Sequence, residues 1–242
     1  AMILEKIPKK LRSPKVLFGV IGLTLPIVGV VAYNNLSTAI IIMGIAICII
    51  FVASPKYIHF IAVGASVIAI GVAFIAFAGY RMSRVKAWLD PENADPDKVY
   101  QTLQGLYAIG SGGLFGKGLG ESLQKLGNVP ESQNDMIFTI ICEELGLFGA
   151  ICVIMLFMLI IWRMMVIANN APDLFGSLLV VGVMSHISIQ VILNIAVVTN
   201  SIPNTGVILP FISYGGTSIL ILMCEIGIVL GVSRSIRLEN IK

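Results

Sequence analysis

The run Ile137-Phe138-Thr139-Ile140-Ile141-Cys142-Glu143-Glu144-Leu145-Gly146-Leu147-Phe148-Gly149-Ala150-Ile151-Cys152-Val153-Ile154-Met155-Leu156-Phe157-Met158-Leu159-Ile160-Ile161 decides the fold. At about 1.5 Å per residue it extends over about 37 Å, and a bilayer's hydrocarbon core is roughly 30 Å thick. Immediately before it stands Asn128-Val129-Pro130-Glu131-Ser132-Gln133-Asn134-Asp135-Met136. Two carboxylates and several neutral polar groups thus sit at the mouth of a membrane helix. Such groups are costly there unless they serve water, a partner or a substrate.

The rest of the chain agrees. Hydrophobic residues make up 57% of the 242 residues and charged residues 12%, against about 25% charged in a soluble domain. The expected fold class is all-α: a polytopic membrane helix bundle with a long structured extracytoplasmic loop. Six spans are predicted, at 16–33, 38–53, 58–78, 137–161, 174–199 and 217–232. They must be helices, because lipid offers the backbone no hydrogen-bond partner. One membrane domain is therefore expected: a basic cytoplasmic N-terminus (1–15), three spans (16–79), a large outer loop (80–136), and three more spans (137–242) carrying a re-entrant-like loop at 200–216. The cysteines Cys48, Cys142, Cys152 and Cys224 all fall in apolar runs without metal-ligand spacing, and read as reduced, buried packing residues.

Basic residues set the orientation. Lys6, Lys9, Lys10, Arg12 and Lys15 precede the first span, Lys56 follows the second, Arg163 the fourth, and Arg234, Arg237 and Lys242 the last. If the spans alternate, all of these share one side. The positive-inside rule makes that side cytoplasmic, with both termini, and places the 81–136 loop outside. The first apolar run is not read as a signal peptide, since Pro26 interrupts it and no small-residue cleavage site follows.

The outer loop is too long to lack structure. Residues 99–109 read as a short amphipathic helix, and six glycines crowd 110–120. The pattern suits a loop folded back on the bundle, with partial helices lining a cavity. The glycine-rich run lacks the Gly-Lys-Ser/Thr ending of a nucleotide-binding loop. The second outer element, Asn200-Ser201-Ile202-Pro203-Asn204-Thr205-Gly206-Val207-Ile208-Leu209-Pro210-Phe211-Ile212-Ser213-Tyr214-Gly215-Gly216, cannot be one regular helix because of Pro203 and Pro210.

Three constellations could carry chemistry. If the fourth helix begins near Pro130, Glu131 and Asp135 project on one face. They then serve either as N-terminal acids matched to the helix dipole or, with Asp135 desolvated and its pKa raised, as a proton acceptor. Arg81, Arg84 and Lys86, with Lys117 in the glycine-rich run, are either interfacial anchors or a diphosphate clamp. His186, Gln190 and Asn194 recur on one face, and Glu143, Glu144 and Glu225 lie inside spans. They bond helices together or line a proton path or cavity.

These motifs resemble the SEDS family (FtsW, RodA and SpoVE), membrane glycosyltransferases that polymerise lipid II into peptidoglycan. The resemblance rests on Tyr80-Arg81…Arg84-Val85…Ala87-Trp88…Asp90-Pro91, on Tyr100-Gln101…Gln104, and on Ala108-Ile109-Gly110-Ser111-Gly112-Gly113-Leu114-Phe115-Gly116-Lys117-Gly118-Leu119-Gly120. It continues in Pro130-Glu131…Asp135-Met136-Ile137-Phe138, Glu143-Glu144-Leu145-Gly146 and Pro203-Asn204-Thr205-Gly206…Leu209-Pro210-Phe211-Ile212-Ser213-Tyr214-Gly215-Gly216. It covers nearly all of this chain but only the C-terminal part of the family, whose members have about four further spans before it. Two positions depart from the family pattern: Asn35 stands where an acid is usual, and Gly105 where a Ser is common.

The resemblance implies Asp135 as catalytic base with Glu131 in support. It implies Arg81, Arg84, Lys86, Lys117, Gln101, Gln104, Ser111, Asn204 and Ser213 as substrate-binding residues. The product would be a β-1,4 glycan formed with inversion, during division, elongation or sporulation. No cofactor is required, and there is room for a divalent cation. A class B penicillin-binding protein is the implied partner, membrane lipid the surroundings, the bacterial cytoplasmic membrane the location, and no nucleic acid is expected. A lipid II transporter relying on Glu143, Glu144 and His186, or a scaffold for the penicillin-binding protein, are the competing readings.

Overall fold

The computed structural model describes residues 14–53, 64, 79–90, 93–94, 96–127 and 129–236. The predicted third span, 58–78 (apart from Gly64), both chain ends and the Arg81 side chain lie outside the described residues. Among those described, regular structure is entirely helical. The helices are α1 (Pro14–Asn34), α2 (Leu36–Ala53), α3 (Gly79–Leu89), α4 (Pro96–Gly112), α5 (Ile137–Asn169), α6 (Leu174–Val198) and α7 (Gly216–Ser235), with a short 3-10 turn at Gln124–Leu126. Four of them, α2, α5, α6 and α7, are long and apolar enough to cross a membrane. The chain is a polytopic membrane helix bundle.

By contacts the chain divides into two compact units, residues 1–71, 160–189 and 220–242, and residues 72–159 and 190–219. In the first, α1 and α2 pack together. Pro26 lies inside α1 rather than ending it; membrane helices tolerate such a residue when neighbours satisfy the freed carbonyl. Asn35 caps α2, its Oδ1 accepting the Thr38 N–H at 3.1 Å. Helices approach closely at glycines: a Cβ at Gly182 would lie 3.3 Å from Ile49, and one at Gly44 would collide with Ile189. His186 Nδ1 lies 2.9 Å from both carboxylate oxygens of Glu225, tying α6 to α7.

The second unit holds α3, α4, the glycine-rich segment, the start of α5 and the 200–216 loop. The predicted short helix at 99–109 is the centre of the longer α4. The 200–216 segment is irregular almost throughout, with positive φ at Asn200, Gly206 and Phe211.

Two expectations need correction. The fourth helix does not begin near Pro130. Residues 131–136 form successive turns, Glu131 has φ 53°, and regular helix starts at Ile137. Glu131 and Asp135 therefore do not share a helix face: Glu131 is exposed and Asp135 is buried. The cysteines are not all buried either. Cys142 is, Cys48 and Cys152 are half-buried, and Cys224 is exposed on α7, where lipid rather than protein is the natural covering of an apolar span.

Candidate functional site

Asp135 is the centre of the polar cluster in the second unit. It is 8% exposed, closing the run of turns that leads into α5. Asn194 on α6 is fully buried, and its amide donates to the Asp135 carbonyl and to the Val207 carbonyl, each at 2.7 Å. One side chain thus ties the Asp135 turn to the 200–216 loop. Ser213 makes a second tie: its hydroxyl donates to the Asn134 carbonyl at 2.7 Å and accepts the Leu209 N–H at 2.7 Å. The Tyr214 N–H donates to the Gln133 carbonyl at 2.8 Å. Gly206 packs beside the acid, where a Cβ would stand 3.8 Å from Asp135 Oδ2, and its φ of 66° favours glycine.

Gln101 on α4 reaches the carboxyl, with Nε2 3.4 Å from Asp135 Oδ1 and 3.2 Å from the Pro130 carbonyl. Gln101 Oε1 accepts from Asn204 Nδ2 at 2.8 Å. Arg84 on α3 donates to the Asn204 carbonyl at 3.3 Å, and the Trp88 indole donates to the Asn200 carbonyl at 2.9 Å. Arg84, Trp88, Gln101, Leu106, Asn200 and Asn204 help line a cavity of about 250 Å³. Asp135 stands one hydrogen bond behind its wall, through Gln101.

Burial holds the Asp135 carboxyl above its ordinary pKa. Nearby backbone N–H groups and the Arg84 guanidinium pull it down, while the Glu131 charge adds to the rise. Glu131 accepts a short hydrogen bond from the Asn134 amide. The structure thus brings together Asp135, Gln101, Asn204 and Arg84, with Glu131 acting through charge and Ser213 holding the turn. Lys86 is exposed on α3, and Gln104 is half-buried one turn along α4 from Gln101.

Lys117 and Ser111 belong to a different cluster. Lys117 Nζ lies 2.6 Å from Glu143 Oε1, and Glu143 is fully buried. Ser111 also donates to Glu143 Oε1 at 3.4 Å, and Ser122 donates a short hydrogen bond to Oε2. Lys125 pairs with Glu144 at 2.7 Å. The glycine-rich segment therefore clasps the first turns of α5. There the helix breaks at Gly146 (φ 66°, ψ −164°), which leaves carbonyls before the break and N–H groups after it without helical partners. The segment supplies partners to two of each. Lys117 N–H and Gly118 N–H donate to the Glu143 and Glu144 carbonyls at 2.9 and 3.0 Å. The Gly113 and Leu114 carbonyls accept from Leu147 and Phe148 N–H at 2.9 and 3.1 Å. Side chains do not fit there, since a Cβ at Gly112, Gly116 or Gly146 would run into backbone.

The sequence left Asn194 either bonding helices together or lining a cavity or proton path, and did not connect it with Asp135. Its signal was the four-residue recurrence of His186, Gln190 and Asn194 in an apolar span. Among the described residues no group of three His, Cys, Asp or Glu is placed to hold a metal ion.

The fold is thus a membrane helix bundle whose second unit holds a buried carboxyl one hydrogen bond from a cavity lined in part by Arg84, Gln101 and Asn204. A family model of cell cycle proteins, covering FtsW, RodA and SpoVE, matches residues 1–238, and the chain belongs to that family. Stage V sporulation protein E of Bacillus subtilis (strain 168) is 44% identical over 200 residues, covering 83% of this chain and 55% of that protein. The probable peptidoglycan glycosyltransferase FtsW of the same organism is 38% identical over 230 residues, 91% of this chain and 57% of that one. The chain thus spans about half the length of the curated relatives it matches. A solved chain of a peptidoglycan synthase complex that coordinates polymerization and crosslinking matches with TM-score 0.71 at 25% identity, over 90% of this chain and 62% of that one. Rod shape determining protein RodA of Thermus thermophilus shares the fold, with TM-score 0.60 at 24% identity over 96% of this chain and 62% of that one.

Proposed function

We propose that this chain carries the catalytic part of a peptidoglycan glycosyltransferase that polymerises lipid II. The observation that carries the reading is Asp135: buried, with its pKa raised, clamped by Asn194, touched by Gln101 and in the field of Arg84. The name of its relatives, probable peptidoglycan glycosyltransferase, supports the reaction class.

In the proposed reaction the 4-hydroxyl of one lipid-linked sugar attacks the anomeric carbon of another. Asp135 takes the hydroxyl proton as the new carbon–oxygen bond forms. The bond from the anomeric carbon to the diphosphate breaks, and the lipid diphosphate leaves with its electron pair. Displacement from the opposite face inverts the centre and gives a β-1,4 linkage. The 3.4 Å contact from Gln101 is long for a hydrogen bond, so an acceptor hydroxyl can replace it at Oδ1. Arg84 offsets the charge on the leaving diphosphate. Gln101 and Asn204, already bonded to each other, present amide groups to sugar hydroxyls at the cavity wall. Glu131 raises the basicity of Asp135 through its charge. Arg81, Lys86, Gln104 and Lys117 remain proposed substrate contacts from the sequence, and of these Lys117 would have to leave Glu143. No step is routed through a metal ion.

The activity is placed on the outer face of a bacterial cytoplasmic membrane, with both termini inside, beside a class B penicillin-binding protein. The test is glycan polymerisation from purified lipid II by parent and Asp135→Ala protein, each with that partner. Polymer from the parent and none from the variant is expected. Undiminished polymer from Asp135→Ala sinks the mechanism and returns weight to a transport role.

A further inference from the structure

The glycine-rich segment carries a feature that the proposed chemistry leaves unused. Between Leu114 and Leu126 it exposes Leu114 (65%), Phe115 (82%), Leu119 (77%), Leu123 (62%) and Leu126 (77%). Its lysines Lys117 and Lys125 are turned onto Glu143 and Glu144, and its one other charged side chain, Glu121, is exposed. Apart from Glu121, the surface left outward is therefore mainly apolar.

The height of this surface follows from α5. Residues 145–162 carry no charge, and at about 1.5 Å per residue they make about 27 Å of helix, close to a roughly 30 Å hydrocarbon core. The outer edge of the hydrocarbon thus falls near residue 145, beside the Gly146 break. Exposure changes at the same place. Within 137–146 no residue is exposed, whereas Leu147 and Phe148 are 53% and 66% exposed and a lipid-facing surface continues through Ile151. The backbone of residues 113–118 is hydrogen-bonded to residues 143, 144, 147 and 148. Leu114 and Phe115 therefore stand level with the first lipid-facing residues of α5 and continue their surface.

We infer that residues 114–126 form an interfacial membrane anchor, whose occupant is the acyl boundary of the outer leaflet. An apolar face of this kind sinks about 5–10 Å into the headgroup–acyl boundary. The anchor fixes the height of the broken helix, and with it the turn that bears Asp135. The inference rests on the bundle and not on the proposed activity.

Tryptophan placed in the segment tests it. The variants Phe115→Trp and Leu119→Trp change exposed positions and are reconstituted as the full chain in phosphatidylcholine vesicles, with or without lipids brominated near the headgroup end of the acyl chain. The emission added over the parent protein is measured against bromolipid and against aqueous acrylamide. Bromolipid should quench the added emission while acrylamide removes little of it, as follows for side chains seated in the headgroup–acyl boundary. Strong acrylamide quenching without bromolipid quenching overturns the inference by placing the segment in water. Protection from both quenchers overturns the lipid occupant and assigns the surface to protein, a second copy or a partner chain.

Discussion

At the scale of the residue, Asp135 sets a conflict between stability and function. Its carboxyl is held above its ordinary pKa in the fold, so the native state binds the proton more tightly than the unfolded chain does. Stability contributed by that proton is present below the unfolded pKa and falls as pH rises through the window up to the raised folded value. At pH 7 the ionised side chain is a net cost. Asp135→Asn should therefore match or exceed the parent in thermal stability, by fluorescence-monitored melting, while losing about 10²–10⁴-fold in polymerisation, the usual contribution of a general base. The pH profile belongs to the same residue. The base must be ionised, so activity should fall on acidification at a higher pH than an ordinary carboxylate would give. Glu131→Gln removes a like charge and should move that acid limb to lower pH, and an unmoved limb would remove Glu131 from the site. Asn194 acts by position. Asn194→Leu leaves the Asp135 and Val207 carbonyls without their donor, at a cost of about 1–3 kcal/mol for buried groups left unpaired. Its kcat should drop with the acid limb unchanged, because the base keeps its charge environment and loses its placement.

At the scale of the element, the break in α5 and the glycine-rich segment form one structure. Lys117 is the residue to change. Lys117→Met leaves the fully buried Glu143 carboxylate without its cation, and removing one partner of a buried pair costs about 3–5 kcal/mol. Because the Lys117 side chain is 31% exposed, about 2–3 kcal/mol is expected here. The double variant Lys117→Met with Glu143→Gln should recover much of the lost melting temperature. No recovery would show that Lys117 serves something other than Glu143. This element also marks the limit of what the sequence disclosed. Hydropathy placed the ends of the described spans within a few residues, apart from the C-terminal end of α5, which runs on to Asn169. Burial in lipid is a property of each residue and its near neighbours, so composition reports it. The Gly146 break does not announce itself that way, since Gly146 lies in an unbroken apolar run. Its cause is the fit of residues 112–118 against 142–148, a contact between segments about 30 residues apart. The sequence offered two hints, Glu143-Glu144 where a span should be apolar and a glycine crowd with lysines nearby, but the pairing of one with the other exists only in three dimensions. The Asp135 turn was misread for a similar reason. Pro130 is a good first helical residue, yet the 200–216 loop takes the Gln133 and Asn134 carbonyls and Asn194 on α6 takes that of Asp135, all of which a helix beginning there would have used for itself.

For the whole molecule, orientation decides whether the chemistry can meet its substrate. An acid that serves a lipid-linked sugar on the outer face must be outside, and the basic residues argue for that placement independently of any site. Arg163 and Arg234 fall on the side assigned to the cytoplasm, whereas Asp135, Lys117 and Lys125 fall on the other. Lys117 and Lys125 look like exceptions to the rule. Each is paired with a glutamate on α5, and the basic residues of their loop are outnumbered by those assigned to the other side. A cysteine at the exposed Glu121 position should react with a membrane-impermeant maleimide in intact spheroplasts. One at Ser235 should react only after permeabilisation. The native thiols contribute little background, because all four lie within apolar spans and a maleimide needs the thiolate, which lipid disfavours. The reverse labelling pattern would turn Asp135 toward the cytoplasm, away from the proposed substrate, and would end the polymerase reading whatever the assay of the Asp135 variants had shown.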